Sequence, residues 1–468
     1  MNRPIGDVLD LQRKAFLRDG PPSLADRKAH LAALAGQVRK YRDPMGEAVS
    51  EDFGNRSRHE TLLAETMATI MSLKHSGKHL ASWMAPSNRP LNRLQHPFAS
   101  ARVHYQPLGV VGIMAPWNYP FQLSLVPVGQ ALAAGNRVML KPSEFTPGVA
   151  ALLARMLAEV FGEERVAVVE SGPDVAAEFS RQKFDHLMFT GSTATGRRVM
   201  MAAAENLVPV TLELGGKSPV IVGGDYDLGK AAGSIALGKM LNAGQTCIAP
   251  DYAFVPAGKA ESFGRALSDQ IATMYPTLAA NPDYTSIVAD RHFERINGLI
   301  DDARAKGARI EQINPGGEEL GNQRKIAPTL IFDPTDDMKV MQEEIFGPVL
   351  PVMTYGDLSE AIDYVNAHDR PLALYHFSND ASAQRRVIER TTAGGMTVND
   401  TLLHVAVEEL PFGGVGPSGI GAYHGEAGFR TFSHAKSVLK QSALNFGGAL
   451  RPPFGSRLEK IAAMMIGK

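Results

Sequence analysis

The sequence predicts an α/β protein built on doubly wound parallel sheet. Three features point there. From Gly109 onward, short β-rich runs alternate with helical patterns, and a second series of the same kind begins near residue 219. Such alternation argues parallel strands joined by helical crossovers. Residues 7 to 85 instead read as helical, which adds a layer ahead of the first sheet. The 468 residues leave room for roughly two to four domains.

The elements follow in order. Leu9, Leu11, Ala15 and Phe16 make one apolar stripe, and Leu31, Leu34 and Val38 make another at helical spacing. PPSLAD opens the second helix, with Ser23 as N-cap and Asp26 complementing the positive helix end. Proline in SNRPLNR (87–93) breaks the pattern, and ARVHYQPLG (101–109) alternates like a strand. GVVGIMAP (109–116) precedes a helix ending at Gly135, and RVMLKPS (137–143) precedes a helix over 147 to 161. VAVVES (166–171), DHLMFTG (185–191) and PVTLEL (209–214) continue the first series. The second runs PVIVGGD (219–225), YAFVPAG (252–258), TLIFD (329–333), PVLPVMTYG (348–356) and MTVND (396–400). ESFGRALSDQIATMY (261–275) and SEAIDYVNAHD (359–369) are helices between them. The chain reads as two α/β lobes, a helical N-terminal layer and a Gly-rich C-terminal extension.

Charge is balanced, with 48 basic against 49 acidic residues. That gives no electrostatic reason to expect nucleic acid or an anionic membrane as partner. One cysteine cannot form an intramolecular disulfide. No signal-peptide pattern is evident, and no apolar run approaches the ~18 residues of a spanning helix. The apolar patch Ile461 to Ile466 is too short to cross a bilayer. The expectation is a soluble, cytoplasmic protein.

Several segments carry chemistry, each with a plainer reading beside it. DHLMFTG runs into GSTATG (191–196) and then a helical pattern, which sets free amides at a helix N-terminus suited to a phosphate. Thr193 replaces the second glycine of the usual dinucleotide fingerprint, so a plain β-to-α turn reads equally well. KPSE (141–144) follows a strand, where a sheet of this kind opens its ligand crevice. Lys and Glu there can bond ribose hydroxyls, or form a solvated pair on a surface turn. In APWNYP (115–120), Asn118 is a turn residue or a donor aimed at an oxyanion. In LELGGK (212–217), Glu213 is a salt-bridged carboxylate or a general base. In GQTCIAP (244–250), Cys247 is an inert small hydrophobe, or a reactive loop thiol if backbone donors stabilise its thiolate. No cluster with zinc-ligand spacing is found.

PWN, KPSE, GSTATG, ELGGK, GQTC, EEIFGP and PFGG follow one another in this order. On these motifs the chain resembles the aldehyde dehydrogenase superfamily from about residue 10 to residue 440. PFGGVGPSGIGAYHGEAGFRTFSHAKS (411–437) and RPPFGSRLEK are similar to the class 3 branch and its bacterial relatives, especially the coniferyl aldehyde dehydrogenases. The resemblance implies a Rossmann-like cofactor domain (1–88 and 109–214), an α/β catalytic domain (215–410) and a β-arm for homodimer formation (89–108 and 411–445). A tail (446–468) follows.

The resemblance also assigns roles. Cys247 would be the nucleophile, Asn118 and the Cys247 N–H the oxyanion hole, and Glu213 the general base. Lys141 and Glu144 would hold the adenosine ribose, and Ser192 after Gly191 would meet the pyrophosphate. Glu344 would bind the nicotinamide ribose beside Phe346. Trp117, Ser143 and Gly196 would complete the cofactor site. Tyr119, Leu123, Leu237, Thr246, Ile248, His404 and Phe412 would lie near the substrate channel. Leu237 departs from an aromatic common in class 3 enzymes, which widens the channel toward a bulky phenylpropenal such as coniferaldehyde. The cofactor would be NAD, since Glu144 would repel a 2′-phosphate, with NADP possible because class 3 relatives accept both. No metal is required. A coenzyme-A-acylating dehydrogenase generally lacks the carboxylate that Glu213 provides here. A non-catalytic relative would be expected to have lost Cys247, Glu213 or Asn118.

Overall fold

Three sheets organise the chain in a computed structural model that describes residues 3–93, 96–169, 172–443 and 451–467. The first sheet has, in spatial order, Gly419–Ile420, Val210–Glu213, His186–Thr190, Val110–Met114, Arg137–Lys141 and Val166–Val168. Its last five strands are mutually parallel. Val110–Met114, Arg137–Lys141 and His186–Thr190 are buried at every residue. That is the pattern of strands covered on both faces. Strand order reverses between Val110–Met114 and His186–Thr190, so a crevice opens at their carboxyl ends. The loops carrying Asn118 and Ser192 leave from those two ends.

The second sheet runs Arg309–Gln312, Thr329–Phe332, Val349–Tyr355, Tyr252–Pro256, Pro219–Val222, Ala373–Phe377 and Gly395–Val398. Only Arg309–Gln312 is antiparallel to its neighbour. The third is an antiparallel ribbon of Ser87–Arg89, Ser100–Pro107 and Ser433–Lys440.

The N-terminal helices follow the expected pattern. Ser23 accepts the Asp26 N–H at 3.2 Å while Asp26 accepts the Ser23 N–H at 3.0 Å, a reciprocal cap on Leu24–Lys40. Leu31, Leu34 and Val38 are buried from this helix. Some expectations need correction. SNRPLNR is no simple break: Ser87–Arg89 pair with Ser100–Pro107 and stop just before Pro90. VAVVES is a strand only over Val166–Val168, and residues 170–171 lie outside the described residues. Ala373–Phe377 lies inside the second sheet although its uniformly buried run shows no alternation to read. Of segment 411–445, only Ser433–Lys440 joins the ribbon; Gly419–Ile420 pairs with Leu212 and Glu213 in the first sheet. Residues 444–450 of the arm and tail lie outside the described residues. The tail helix Ser456–Ile466 leaves Met464, Met465 and Ile466 exposed.

Asn136 ties the C-terminal segment to the first lobe. Its side chain is fully buried, accepts the Gly109 N–H at 2.9 Å, and donates to Ala131 O at 3.2 Å and Phe432 O at 2.8 Å. Asn136→Ala strips the side-chain partner from the Gly109 N–H and from Phe432 O, while Ala131 O keeps the residue-136 backbone N–H at 2.9 Å. Each buried group left unpaired costs about 1–3 kcal/mol. Urea unfolding should show a clearly lower midpoint for Asn136→Ala. An unchanged midpoint would mean that water replaces the amide at no cost.

Candidate active site

Cys247 follows a turn that the backbone can make only under constraint. Asn242, Ala243 and Gly244 all have positive φ, at 54°, 50° and 75°. Non-glycine residues there carry strain that the surroundings must hold. A Cβ on Gly244 would sit 2.2 Å from Gly347 O, so the cysteine loop lies directly on the EEIFGP loop. Gln245 supplies the restraint. It is fully buried, its Nε2 donates to Asn242 O and Ser286 O at 3.0 Å each, and its Oε1 accepts the Val288 N–H at 3.0 Å. Gln245 O in turn accepts from Asn118 Nδ2 at 3.2 Å and from Asn242 Nδ2 at 3.0 Å. The Gly-Gln-Thr before the cysteine is therefore structural: it fixes where the sulfur sits.

The sulfur is half-buried at the floor of a cleft of about 490 Å³ between the two large sheets. Its lining includes Trp117, Asn118, Leu123, Gly191, Ser192, Glu213, Cys247, Glu344 and Phe346. Nine residues foreseen from sequence thus meet at one opening, although eight of them come from five separate motifs and Leu123 lies outside any. Trp117 and Phe346 meet edge to face at 5.3 Å, with Phe346 held at φ 49°. Ser192 caps the helix Thr193–Ala204, whose first residues also line the cleft. That end of a helix presents unpaired N–H groups.

The electrostatics are those of a dry site. Glu213 is buried and neither carboxyl oxygen has a hydrogen-bond partner, so burial holds its pKa well above the usual carboxylate range. Glu344 is pushed up to about 8, by burial first and then by Asp251, against the Gly216 N–H, Lys217 and Arg295. The Cys247 thiol is pushed up to about 12 by burial and by Glu344 and Glu213. The N–H groups of Cys247 and Ile248 work the other way and favour the thiolate.

Other foreseen residues lie off the cleft. Lys141 is buried with Nζ 3.4 Å from Glu144, and the Ser143 hydroxyl accepts the Phe145 N–H at 3.2 Å. This turn sits at the end of Arg137–Lys141, beyond the lining. Gly196 is inside its helix, where a Cβ would meet Leu214 at 2.6 Å; it serves helix–strand packing. Leu237 is 55 % exposed and does not line the cleft. Tyr119, Thr246, Ile248, His404 and Phe412 are buried behind it. The Tyr119 and Thr246 hydroxyls are 2.6 Å apart, the Tyr375 hydroxyl donates to Ile248 O at 2.6 Å, and the His404 and Phe412 rings stack at 6.0 Å. Tyr119, Tyr375 and Tyr423 lie near enough to the sulfur to feel its charge.

A model of the aldehyde dehydrogenase family matches residues 12–438 of this sequence. The chain belongs to the aldehyde dehydrogenase family. It is 52 % identical to a probable coniferyl aldehyde dehydrogenase of Caulobacter vibrioides, over 99 % of this chain and 97 % of that protein. It is 49 % identical to a coniferyl aldehyde dehydrogenase of a Pseudomonas species, over 99 % and 96 %. Among solved structures, a substrate-bound state of Staphylococcus aureus AldH superposes with a TM-score of 0.93 at 38 % identity, covering 99 % of this chain and all of that one. As a member of this family, this aldehyde dehydrogenase oxidises aldehydes to acids with a nicotinamide cofactor.

Residues that sequence reading missed shape the cleft from outside the motifs. Arg56 and Glu65 form a fully buried ion pair at 3.1 Å. Arg56 donates to Asn118 O at 2.7 Å, and Glu65 accepts the Phe121 N–H at 2.6 Å and the Gln122 N–H at 3.2 Å. Glu60 accepts the Asn242 N–H at 3.0 Å, and Arg295 donates to Glu344 O at 3.2 Å and Ile345 O at 2.6 Å. Charged residues at buried-face positions of the helical layer were the available signal. Breaking a buried pair from one side costs about 3–5 kcal/mol. Arg56→Met should lose about that much stability by denaturant titration, together with activity, and Arg56→Met/Glu65→Met should recover part of the stability. A double variant no better than Arg56→Met would show that the pair itself is not what the fold relies on.

Proposed function

We propose that this aldehyde dehydrogenase acts on aromatic aldehydes of the phenylpropenal type, coniferaldehyde among them, through covalent catalysis at Cys247. One observation carries the mechanism: a single half-buried thiol, a partnerless buried carboxyl and a buried amide open onto the same cleft. The cleft also suits a dinucleotide, since it holds orphaned Glu213 oxygens, a helix N-terminus and an edge-to-face aromatic pair. When bound, that group supplies the hydride acceptor. Glu344 would hold its nicotinamide ribose beside Phe346, and Lys141 with Glu144 its adenosine ribose. A carboxylate at Glu144 beside that ribose would repel the extra phosphate of NADP, which supports NAD.

The Cys247 thiol releases its proton to solvent, its sulfur adds to the carbonyl carbon, and the π electrons move to oxygen. Asn118 Nδ2 turns from Gln245 O to that oxyanion, alongside the Cys247 N–H. Collapse of the oxyanion expels hydride and leaves a thioester on Cys247. Glu213 then takes a proton from water as the water attacks the acyl carbon, the C–S bond breaks, and a carboxylic acid leaves. Buried aromatic rings at Tyr119, Phe412 and Tyr423, and the names of the 52 % and 49 % identical relatives, support an aromatic substrate. The ribbon strand Ser433–Lys440, exposed along nearly its whole length, supports a homodimer built edge to edge. The lone cysteine and the want of any helix long and apolar enough to cross a membrane among the described residues agree with a cytoplasmic location.

The test is rapid mixing with NAD and coniferaldehyde, followed by absorbance of reduced cofactor. Wild type should turn over steadily and stop on thiol alkylation. Glu213→Gln should release one equivalent of reduced cofactor per chain and then stall as the thioester. Steady turnover in Glu213→Gln at the wild-type rate would move the base elsewhere, and turnover surviving alkylation would remove Cys247.

Asn118→Ala should lower kcat by roughly 10²–10³ while cofactor affinity stays unchanged. The cofactor titration separates this from a collapsed cleft. An unaltered kcat would take Asn118 out of the reaction.

A further inference from the structure

The helix Ala68–Met84 carries HSGKH, so His75 and His79 are one turn apart on the same face. Glu409, far along the chain, meets them there. His75 Nε2 is 3.6 Å from a Glu409 carboxyl oxygen, and one ligand atom from each of the three residues lies within 4.8 Å of the others. The sequence reading expects no cluster with zinc-ligand spacing; the fold brings Glu409 to the pair His75 and His79.

We infer that His75, His79 and Glu409 form a site for a divalent transition metal, zinc foremost. Two imidazoles and a carboxylate are a common zinc set, with an open fourth position for water. Zinc bonds of about 2.0–2.2 Å put tetrahedral ligand atoms roughly 3.3 Å apart. The Glu409 side chain is 70 % exposed and free to close that distance. His75 Nε2 is buried and makes no hydrogen bond, and the Glu409 carboxylate stands 3.6 Å from it.

Ring packing alone does not account for this. The two imidazoles stack at 4.5 Å and rest on Trp83 at 5.8 and 6.1 Å. Stacking explains the ring planes, but not a carboxylate brought to an orphaned nitrogen. Lys78 opposes a cation here, while Glu408 and Glu409 favour one. Glu408 is already fixed, accepting from the Ser72 hydroxyl at 3.1 Å.

The site would join the helix to the segment between His404 and Phe412. A Cβ on Gly425 would be 2.1 Å from Glu408 O and 3.8 Å from His75 Nε2, so the strand of chain leading from Tyr423 into the next helix packs against the same place. A bound metal would therefore clamp the aromatic segment behind Cys247 to the N-terminal layer. It lies outside the catalytic cleft and does not depend on which aldehyde is oxidised.

The test uses untagged, full-length Cys247→Ser protein, so that the thiol cannot bind the metal. Calorimetry with zinc should show one ion per chain, and cobalt should give the visible absorption of a four-coordinate nitrogen and oxygen site. His79→Ala and Glu409→Ala in the same background should each lower the zinc affinity at least about tenfold. Zinc should raise the melting temperature of the Cys247→Ser protein and leave His79→Ala unmoved, while both melt alike without metal. No uptake of zinc, or binding that survives either substitution undiminished, overturns the site.

Discussion

Arg56 and Glu65 are both fully buried and 3.1 Å apart, between the N-terminal helices and the loop that carries Asn118. Two charges taken out of water cost several kcal/mol each, and their attraction repays this only with further bonds. Here the further bonds go to the active-site backbone. Glu65 takes the N–H groups of Phe121 and Gln122, which open the helix Gln122–Ala134, and Arg56 takes the Asn118 carbonyl. Tyr119 and Phe53 stand against the guanidinium at 4.7 and 5.2 Å, which lowers the cost of keeping it there. The pair is thus a fixed point for the loop, and the loop fixes the amide.

From Asn118 the constraint passes to the cysteine. Asn242 also donates to Asn118 O, at 3.0 Å, and the Asn118 amide reaches Gln245 O. The loops bearing Asn118 and Cys247 therefore share hydrogen bonds across the boundary between two sheets. Three consecutive left-handed residues before the sulfur would relax if left alone. Gln245 and the contact of Gly244 with Gly347 prevent that, so the strain is held where position matters most. The same contact sets Glu344 and Phe346, which face the sulfur from the other loop.

How much of this the sequence discloses depends on the range of the interaction. Local signals read well: the Ser23 cap, the strands from Gly109 to Glu213, and the loops at their carboxyl ends all follow from periodicity and turn residues. Ala373–Phe377 escaped because a strand buried on both faces has no alternation. Ser87–Arg89 escaped because pairing with Ser100–Pro107 outweighs the adjacent proline. At the cleft, the motif residues from Trp117 to Phe346 were legible one by one, but which of them share a surface was not. Lys141, Gly196, Leu237 and His404 show this: each lies in a recognisable motif or channel position, and none lines the opening. Arg56, Glu65 and Gln245 are the converse, since their work is done through contacts with residues far along the chain.

The cleft gathers three acids in one dry place, and their coupling orders the proposed chemistry. Burial raises Cys247, Glu213 and Glu344 together, and the thiol is raised further by the two carboxyls. Negative charge on Glu213 and on the sulfur oppose each other, so the cleft resists holding both at once. A protonated Glu213 therefore favours the thiolate during attack on the aldehyde. Once the sulfur is tied up in a thioester it carries no charge, and that repulsion on the Glu213 carboxylate disappears. Glu213 becomes a better-placed base at the step that needs one, because the sulfur's change of bonding removes the charge that competed with it. Donors aimed at the Glu213 carboxyl would favour its ionised form and weaken this response. In the proposed steps the two unpartnered oxygens of Glu213 leave its carboxyl free to answer that change of charge, in the lining of the same cleft that holds the acylated sulfur.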